Sequence, residues 1–294
     1  GVHAIAFILY AMVFSAVSIL AITGPGRDAR AIMLHPMSWL IGMAIILMEV
    51  FYFLILTFVP PAHGNIIVRI GIPMSMLAGW LVFRRRPPRL AALAGAVIVA
   101  AIAAVVAITD AAVRWPMTLC GLLCGFIMMA RGFAAEMHPW NRAARTVPDK
   151  LRVTGILLFV TSVISLLLTG LATYAAASGL IPPHPIIPAP DRLLHLPTIL
   201  LGGVAGGVIL TVMTYLGFSG VVKIGTENLM AMMALTPLTS WVFQELGVAL
   251  GLIVAARPEA RLVLAMTVII ACVFVILWAG RLARVMARPS ATTP

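Results

Sequence analysis

Four ionisable side chains stand inside long apolar runs, and three of them, Glu49, Arg69 and Glu245, lie where a specific task is needed to justify them. Glu49 sits mid-run in Met48-Glu-Val-Phe-Tyr-Phe53, Arg69 one turn into the next run, and Glu245 a few turns from the outer end of a later one. A charge in hydrocarbon costs about 3 kcal/mol or more, so such residues face a cavity or a partner. Depth puts Arg69 near Glu245, with Glu49 deeper. The set suits a zwitterion: Arg69 for a carboxylate, Glu49 or Glu245 for an amine or a coupling proton. The same residues equally suit a structural ion pair that locks adjacent helices. Arg131, toward the inner end of its run, is expected to snorkel to the interface.

Pro73 and Pro237 each remove a backbone donor and free a carbonyl, which kinks a helix or opens it at a cavity. Thr236, Thr239 and Ser240 flank Pro237 with hydroxyls for that carbonyl or for a solute. Tyr52, Tyr215, Trp80 and Trp241 add aromatic surface, Trp80 as an interfacial belt residue. The expected substrate-binding set is therefore Glu49, Tyr52, Arg69, Pro73, Tyr215, Thr236, Pro237, Trp241 and Glu245. No Ser/His/Asp set or phosphate-binding loop supports an enzyme, so no catalytic residue and no cofactor is expected. Cys120, Cys124 and Cys272 lie inside apolar runs and read as packing; His184, Asp191 and His195 are too loosely spaced for a metal site.

The elements that must position these groups are long apolar runs. The 294 residues are 62% hydrophobic and 10% charged, against roughly 25% charged in soluble domains. Runs near 2–22, 38–59, 65–83, 90–109, 115–137, 151–178, 196–218, 227–254 and 261–280 give nine candidate membrane helices in an all-α integral membrane fold. Continuous rather than alternating runs exclude a closed barrel. The first run lacks a basic leader and a cleavage site, so no cleavable signal peptide is expected.

The net charge of +11 is topological. Fourteen basic residues (Arg27, Arg30, Arg84, Arg85, Arg86, Arg89, Arg142, Arg145, Lys150, Arg152, Lys223, Arg281, Arg284 and Arg288) lie in alternate connections or at the C-terminus, and four (Arg114, Arg192, Arg257 and Arg261) in the others. That asymmetry puts the C-terminus in the cytoplasm and residue 1 outside. The partner is the lipid bilayer and not nucleic acid. Within the membrane, glycine pairs Gly202/Gly206, Gly203/Gly207 and Gly121/Gly125 allow close helix approach. The proline-rich loop Gly179–Arg192 is stiff enough to cap an outer mouth or dock a partner subunit.

Two stretches echo each other 164 positions apart: Gly42 matches Gly206, Phe51 matches Tyr215 and Pro73 matches Pro237. The run 90–109 then matches 261–280, and 2–22 matches 151–178. Such duplication is a common plan of transporters. It divides the chain into a first repeat, 1–110, and a second, 111–294. Four runs precede Asp110 and five follow it, so a first helix missing from a ten-helix parent is expected. With five spans per unit, the two copies have opposite orientations in the membrane.

The paired segments Gly64-Asn-Ile-Ile-Val-Arg-Ile-Gly-Ile-Pro-Met-Ser-Met-Leu-Ala-Gly-Trp-Leu-Val-Phe and Glu227-Asn-Leu-Met-Ala-Met-Met-Ala-Leu-Thr-Pro-Leu-Thr-Ser-Trp resemble the drug/metabolite transporter superfamily, in particular its EamA-like exporters. Arg84-Arg-Arg-Pro-Pro-Arg89 and the alanine-rich 90–109 are similar to that family's basic turn and fifth helix. Where the family often carries Gly-Glu-Arg, this chain has Arg84-Arg85-Arg86 and Leu250-Gly251-Leu252. The resemblance implies two inverted five-helix units in a bacterial inner membrane. It also implies export of a small-molecule substrate, such as an amino acid, by alternating access. The alternative expectation is a transporter-like, non-transporting subunit of a larger membrane complex. A monomer or homodimer with flux argues against that alternative.

Overall fold

A computed structural model describes residues 2–251 and 260–286, and among them every regular element is helical. Among the described residues eight helices are long and apolar enough to cross a membrane, which makes this a multi-pass membrane protein. Arg257, Arg288 and the end of the run expected at 227–254 lie outside the described residues. In chain order the elements are α1 (Ala4–Thr23), α2 (Ala29–Leu34), α3 (Pro36–Phe58), α4 (Pro61–Val68), α5 (Gly71–Leu81), α6 (Arg89–Ile108), α7 (Ala111–Met137), α8 (Pro139–Ala143), α9 (Val147–Ala177), α10 (Pro190–Leu193) and α11 (Leu196–Leu200). A π-helical turn at Leu201–Gly206 leads into α12 (Gly207–Ile224). Then come α13 (Thr226–Met232), a 3₁₀ turn at Met233–Leu235, α14 (Thr236–Ala249) and α15 (Ala260–Met286).

Proline decides where two of the spans stop being regular. The run expected at 227–254 is divided into α13, of 7 residues, and α14, of 14, so neither counts as a span by itself. The run at 61–81 is likewise divided at Arg69 and Ile70. In an α-helix each N–H bonds the carbonyl four residues back. Pro73 therefore frees the carbonyl of Arg69, and Pro237 frees that of Met233. The first is recovered by tighter local bonding: Ile72 N donates to Arg69 O at 2.9 Å, after Ile70 N has donated to Ile67 O at 3.1 Å.

The chain divides into two compact units, and neither coincides with a half of the sequence. One joins Gly1–Phe53 to Ala130–Gly225, the other Leu54–Met129 to the residues from Thr226 on. In the first, α1 packs along α9 through Ala16, Ile19 and Leu158, while Ile46 of α3 meets Val160 and Ile164 on another face of α9. Gly42 permits this approach: a Cβ there would lie 3.3 Å from the Cα of Thr161. At the π turn, Gly202 lies so close to α1 that a Cβ would fall 2.7 Å from the carbonyl oxygen of Phe7. Ser15 and Thr211 hydroxyls both donate to Gly207 O, at 2.6 and 2.8 Å, satisfying backbone that the turn leaves irregular.

In the second unit α6 lies along α15, and α7 crosses the break between α4 and α5. Gly125 and Gly71 meet backbone to backbone: a Cβ on Gly125 would stand 2.9 Å from Gly71 N. One turn away, Ile67 fills the space above Gly121. This is close packing by small residues at the point where the neighbouring helix is least regular.

The corner between α7 and α8 in the first unit is a buried polar network. Ser38 Oγ donates to Ile32 O, so it accepts from His138 Nε2 at 3.0 Å. Asn141 Nδ2 donates to Ala135 O and Phe218 O, tying the corner to α12. His35 and Trp140 set their ring edges against each other and against His138, with centroids 5.4 to 5.9 Å apart. Burial first, and the neighbouring His35 second, push the His138 imidazole down to about 4.

Two predictions follow from this packing. Gly125→Ala should cost about 2 kcal/mol, because backbone blocks the added methyl. Gly170→Ala, where nothing lies within 4 Å, should be neutral or slightly stabilising; thermal unfolding in detergent compares the two. For His138, the unfolded chain binds a proton near pH 6.5 and the folded chain only near 4. Its contribution is therefore complete above about pH 6.5 and is lost as pH falls toward 4, on the order of 2 kcal/mol by pH 5. His138→Gln should remove that part of the pH dependence, as read from unfolding midpoints between pH 5 and 7.5.

Candidate functional site

Hydroxyl residues recur every fourth position along α9: Thr161, Ser165, Thr169 and Thr173, all buried. One helical face therefore carries a polar stripe through an otherwise apolar span. Thr161 Oγ1 returns its hydrogen bond to Leu157 O at 2.8 Å. Further along, the stripe opens into a cavity of about 240 Å³ between α1, α3 and α9. Ser165 and Thr169 line one wall, Ile5, Ile8 and Met12 of α1 another, and Ile46, Glu49 and Val50 of α3 a third.

Glu49 is the sole ionisable group in this lining. A carboxylate facing apolar walls needs a counter-charge or a proton. The charge that acts on it is the Arg131 guanidinium of α7. The arrangement can accept a cationic head and hold a hydrocarbon body, or it can take up and release a proton.

The segment Ile186–Pro188 closes one side of the cavity. Proline has no N–H to donate, so this loop is held by its carbonyls. Thr173 Oγ1 donates to Pro188 O at 2.9 Å, Tyr10 Oη to Leu193 O at 2.6 Å, and His3 Nε2 lies 3.0 Å from Pro185 O. Side chains of α1 and α9 thus fasten the proline-rich loop over the cavity they line.

The second unit holds a different constellation, in which the two broken spans cross at their breaks. Arg69 is 4% exposed; its Nη1 donates to Met233 O, the carbonyl Pro237 frees, and its Nε donates to Asn65 O at 3.0 Å. Thr236 Oγ1 donates to Met233 O as well, at 2.6 Å. Asn65 Nδ2 reaches Ser240 Oγ at 2.8 Å. Because α4 packs on α14 and α5 on α13, the two spans run antiparallel. Arg69 and Met233 are 164 positions apart, the interval of the sequence echo.

The expected set is thus distributed. Glu49, Tyr52 and Tyr215 belong to the first unit; Arg69, Pro73, Thr236, Pro237, Trp241 and Glu245 belong to the second. Tyr52 lies with its ring 6.2 Å from that of Phe53, and Tyr215 is half-buried on α12. Glu245 is exposed and accepts from Trp241 Nε1 at 3.1 Å, one turn earlier on α14. Ser165, Thr169 and Asn65 were not anticipated; the loop holding Ile186–Pro188 was expected to cap an outer mouth. The four-residue spacing of Ser165 and Thr169 marks a polar face of α9, though nothing local singles out the members that face the cavity.

Removing the Arg69 guanidinium should leave a buried carbonyl short of a charged donor. Arg69→Met is expected to lower stability by about 2 kcal/mol. Met233 O accepts from Thr236 N in the 3₁₀ turn, and Pro237→Ala adds the regular α-helical donor as well, so combining it with Arg69→Met should recover roughly 1 kcal/mol relative to additivity. A double-mutant cycle of unfolding midpoints measures this, and strict additivity would separate the guanidinium from the proline.

No family model and no curated protein matches the chain. Solved structures do match: one of them, described as "Crystal structure of protein", superposes with a TM-score of 0.62 at 18% sequence identity, over 96% of this chain and 90% of that one. At that identity the likeness shows the fold alone.

Proposed function

We propose that this chain is a secondary transporter that exports a small amphipathic metabolite, of the amino-acid or amine kind, by alternating access. The observation that carries this reading is the crossing of two antiparallel spans, each broken by a proline at positions 164 apart, with Arg69 bonded to Met233 O. Paired interruptions of this kind, at corresponding places in two copies of a unit, are the usual sign of a transporter's working centre. On this reading the chain consists of two inverted repeats of the EamA-like kind, with nine spans, set in a bacterial inner membrane with the C-terminus in the cytoplasm. The contacts between α1 and α9 and between α6 and α15 support it, because each joins runs that the echo pairs.

In this proposal Arg69 holds the crossing together, and Glu49 meets the solute. An ammonium head rests on the Glu49 carboxylate, the Ser165 and Thr169 hydroxyls complete its hydrogen bonds, and the apolar walls of α1 and α3 take the hydrocarbon part. When the solute leaves, a proton or the Arg131 charge compensates Glu49. The cost of an uncompensated charge in an apolar cavity is what couples that compensation to solute release.

Proteoliposomes loaded with a labelled panel of amino acids and amines test this. Flux of at least one amine-bearing solute is expected, and Glu49→Gln should reduce it by roughly 10-fold or more, the worth of one charged hydrogen bond. Asp110→Asn, whose carboxylate caps α7 through Ala112 N, should transport as the parent does. Absence of flux across the panel, with stoichiometric co-purification of other membrane subunits, would instead establish the subunit reading.

A further inference from the structure

A second cleft, of about 190 Å³, opens in the first unit between the α1–α2 connection, α8 and the start of α9. Its lining is of another kind: Arg27, Asp28, Trp140, Asp149 and Arg152 over a floor of Ile32 and Val153. Two of the four charges are already committed. Arg152 donates to Gly24 O and Thr23 O and to Asp149 Oδ1, each at 3.3 Å. Asp149 accepts from Thr146 Oγ1 at 2.6 Å, and Thr146 caps α9 by accepting from Asp149 N. These bonds build the wall. They also fix the turn above it: Gly24 and Gly26 have φ of 68° and 72°, and a Cβ on Gly26 would strike Arg152 Cδ at 2.7 Å.

The other two charges stand ready on that turn. Arg27 and Asp28 have no side-chain hydrogen-bond or ion-pair partner among the described residues. Asp28 occupies the N-cap position of α2, where an aspartate normally accepts from the helix, yet its carboxylate makes no capping bond. The cleft thus offers one guanidinium fork, one carboxylate and one indole at the mouth of a membrane helix pair. A guanidinium fork matches a phosphate, a carboxylate matches a primary ammonium, and tryptophan favours the headgroup depth of a bilayer. The lining belongs to connections that carry an excess of basic residues, the places where headgroup recognition concentrates.

We propose that this cleft binds the phosphoethanolamine headgroup of a phospholipid, with its phosphate on Arg27 and its ammonium on Asp28. The site is independent of transport and of Glu49. The test is native mass spectrometry of the full chain in detergent, titrated with phosphatidylethanolamine, phosphatidylcholine or phosphatidylglycerol of matched acyl chains. Phosphatidylethanolamine should bind with roughly tenfold higher affinity than phosphatidylcholine, whose methylated head cannot donate to Asp28. Arg27→Ala should weaken all three lipids. Asp28→Asn should weaken phosphatidylethanolamine alone and leave phosphatidylglycerol unchanged or tighter. Both residues are exposed, and unchanged unfolding midpoints confirm that the variants fold. Equal binding of the three lipids, or binding indifferent to both substitutions, would overturn the proposal. Binding of soluble phosphoethanolamine as tightly as the lipid would overturn it too, by assigning the cleft to a free metabolite.

Discussion

A backbone carbonyl inside a membrane must find a donor within the protein, and two prolines in this chain each take one away. Pro73 and Pro237 free the carbonyls of Arg69 and Met233, and the solutions differ. The first is met by local tightening, with Ile72 N as the donor. The second is met by the same tightening, with Thr236 N as the donor, and in addition from outside its own span, by the Arg69 guanidinium, with the Thr236 hydroxyl in support. That bond joins two broken spans that pack antiparallel, and it gives a buried cation carbonyl partners where hydrocarbon would otherwise exclude it. Gly71, Gly121 and Gly125 then let α7 press on the least regular part of the crossing.

The Glu49 cavity rests on a different balance. There the polar groups are sparse and the walls apolar, so a single carboxylate dominates the chemistry of the space. Its hydroxyl neighbours come from one face of α9, and its cover comes from a loop whose prolines cannot donate hydrogen bonds. The loop is fastened to the helices through carbonyls that accept from Tyr10 of α1 and Thr173 of α9, with His3 against Pro185 O. A lone ionisable group under a fastened loop distinguishes this space from the crossing, where the cation donates to two backbone carbonyls.

The spans were legible in the sequence because burial in a bilayer demands long uninterrupted apolar runs, and eight of them stand as such. The two prolines were legible as points where a carbonyl is freed. What was not legible is where the freed group finds its donor: Arg69 reads as a substrate ligand or half of an ion pair, because sequence shows its charge but not the Met233 carbonyl facing it. Glu49 was identified by its depth alone. Ser165 and Thr169 escaped because serine and threonine inside a span commonly bond back to their own helix, as Thr161 does, and nothing local distinguishes those that face a cavity. The loop cover depends on contacts nearly two hundred residues apart, beyond any pattern of periodicity.

The contact between Arg69 and Met233 has a bearing on how such a chain can arise. Their spacing equals the interval between the echoed segments, so on the proposed repeat relation each residue touches its own counterpart, as an atom near a two-fold axis touches its image. In an assembly of two identical subunits the same side chain would stand on both sides, and two guanidiniums would be forced together. A fused gene escapes that restriction, since each copy mutates alone. Once one copy carried arginine and the other methionine, the halves could no longer be exchanged or separated without exposing a charge to lipid. On that proposed relation the bond that closes the crossing is also a ratchet: it would make a duplication irreversible and assign each half a fixed place.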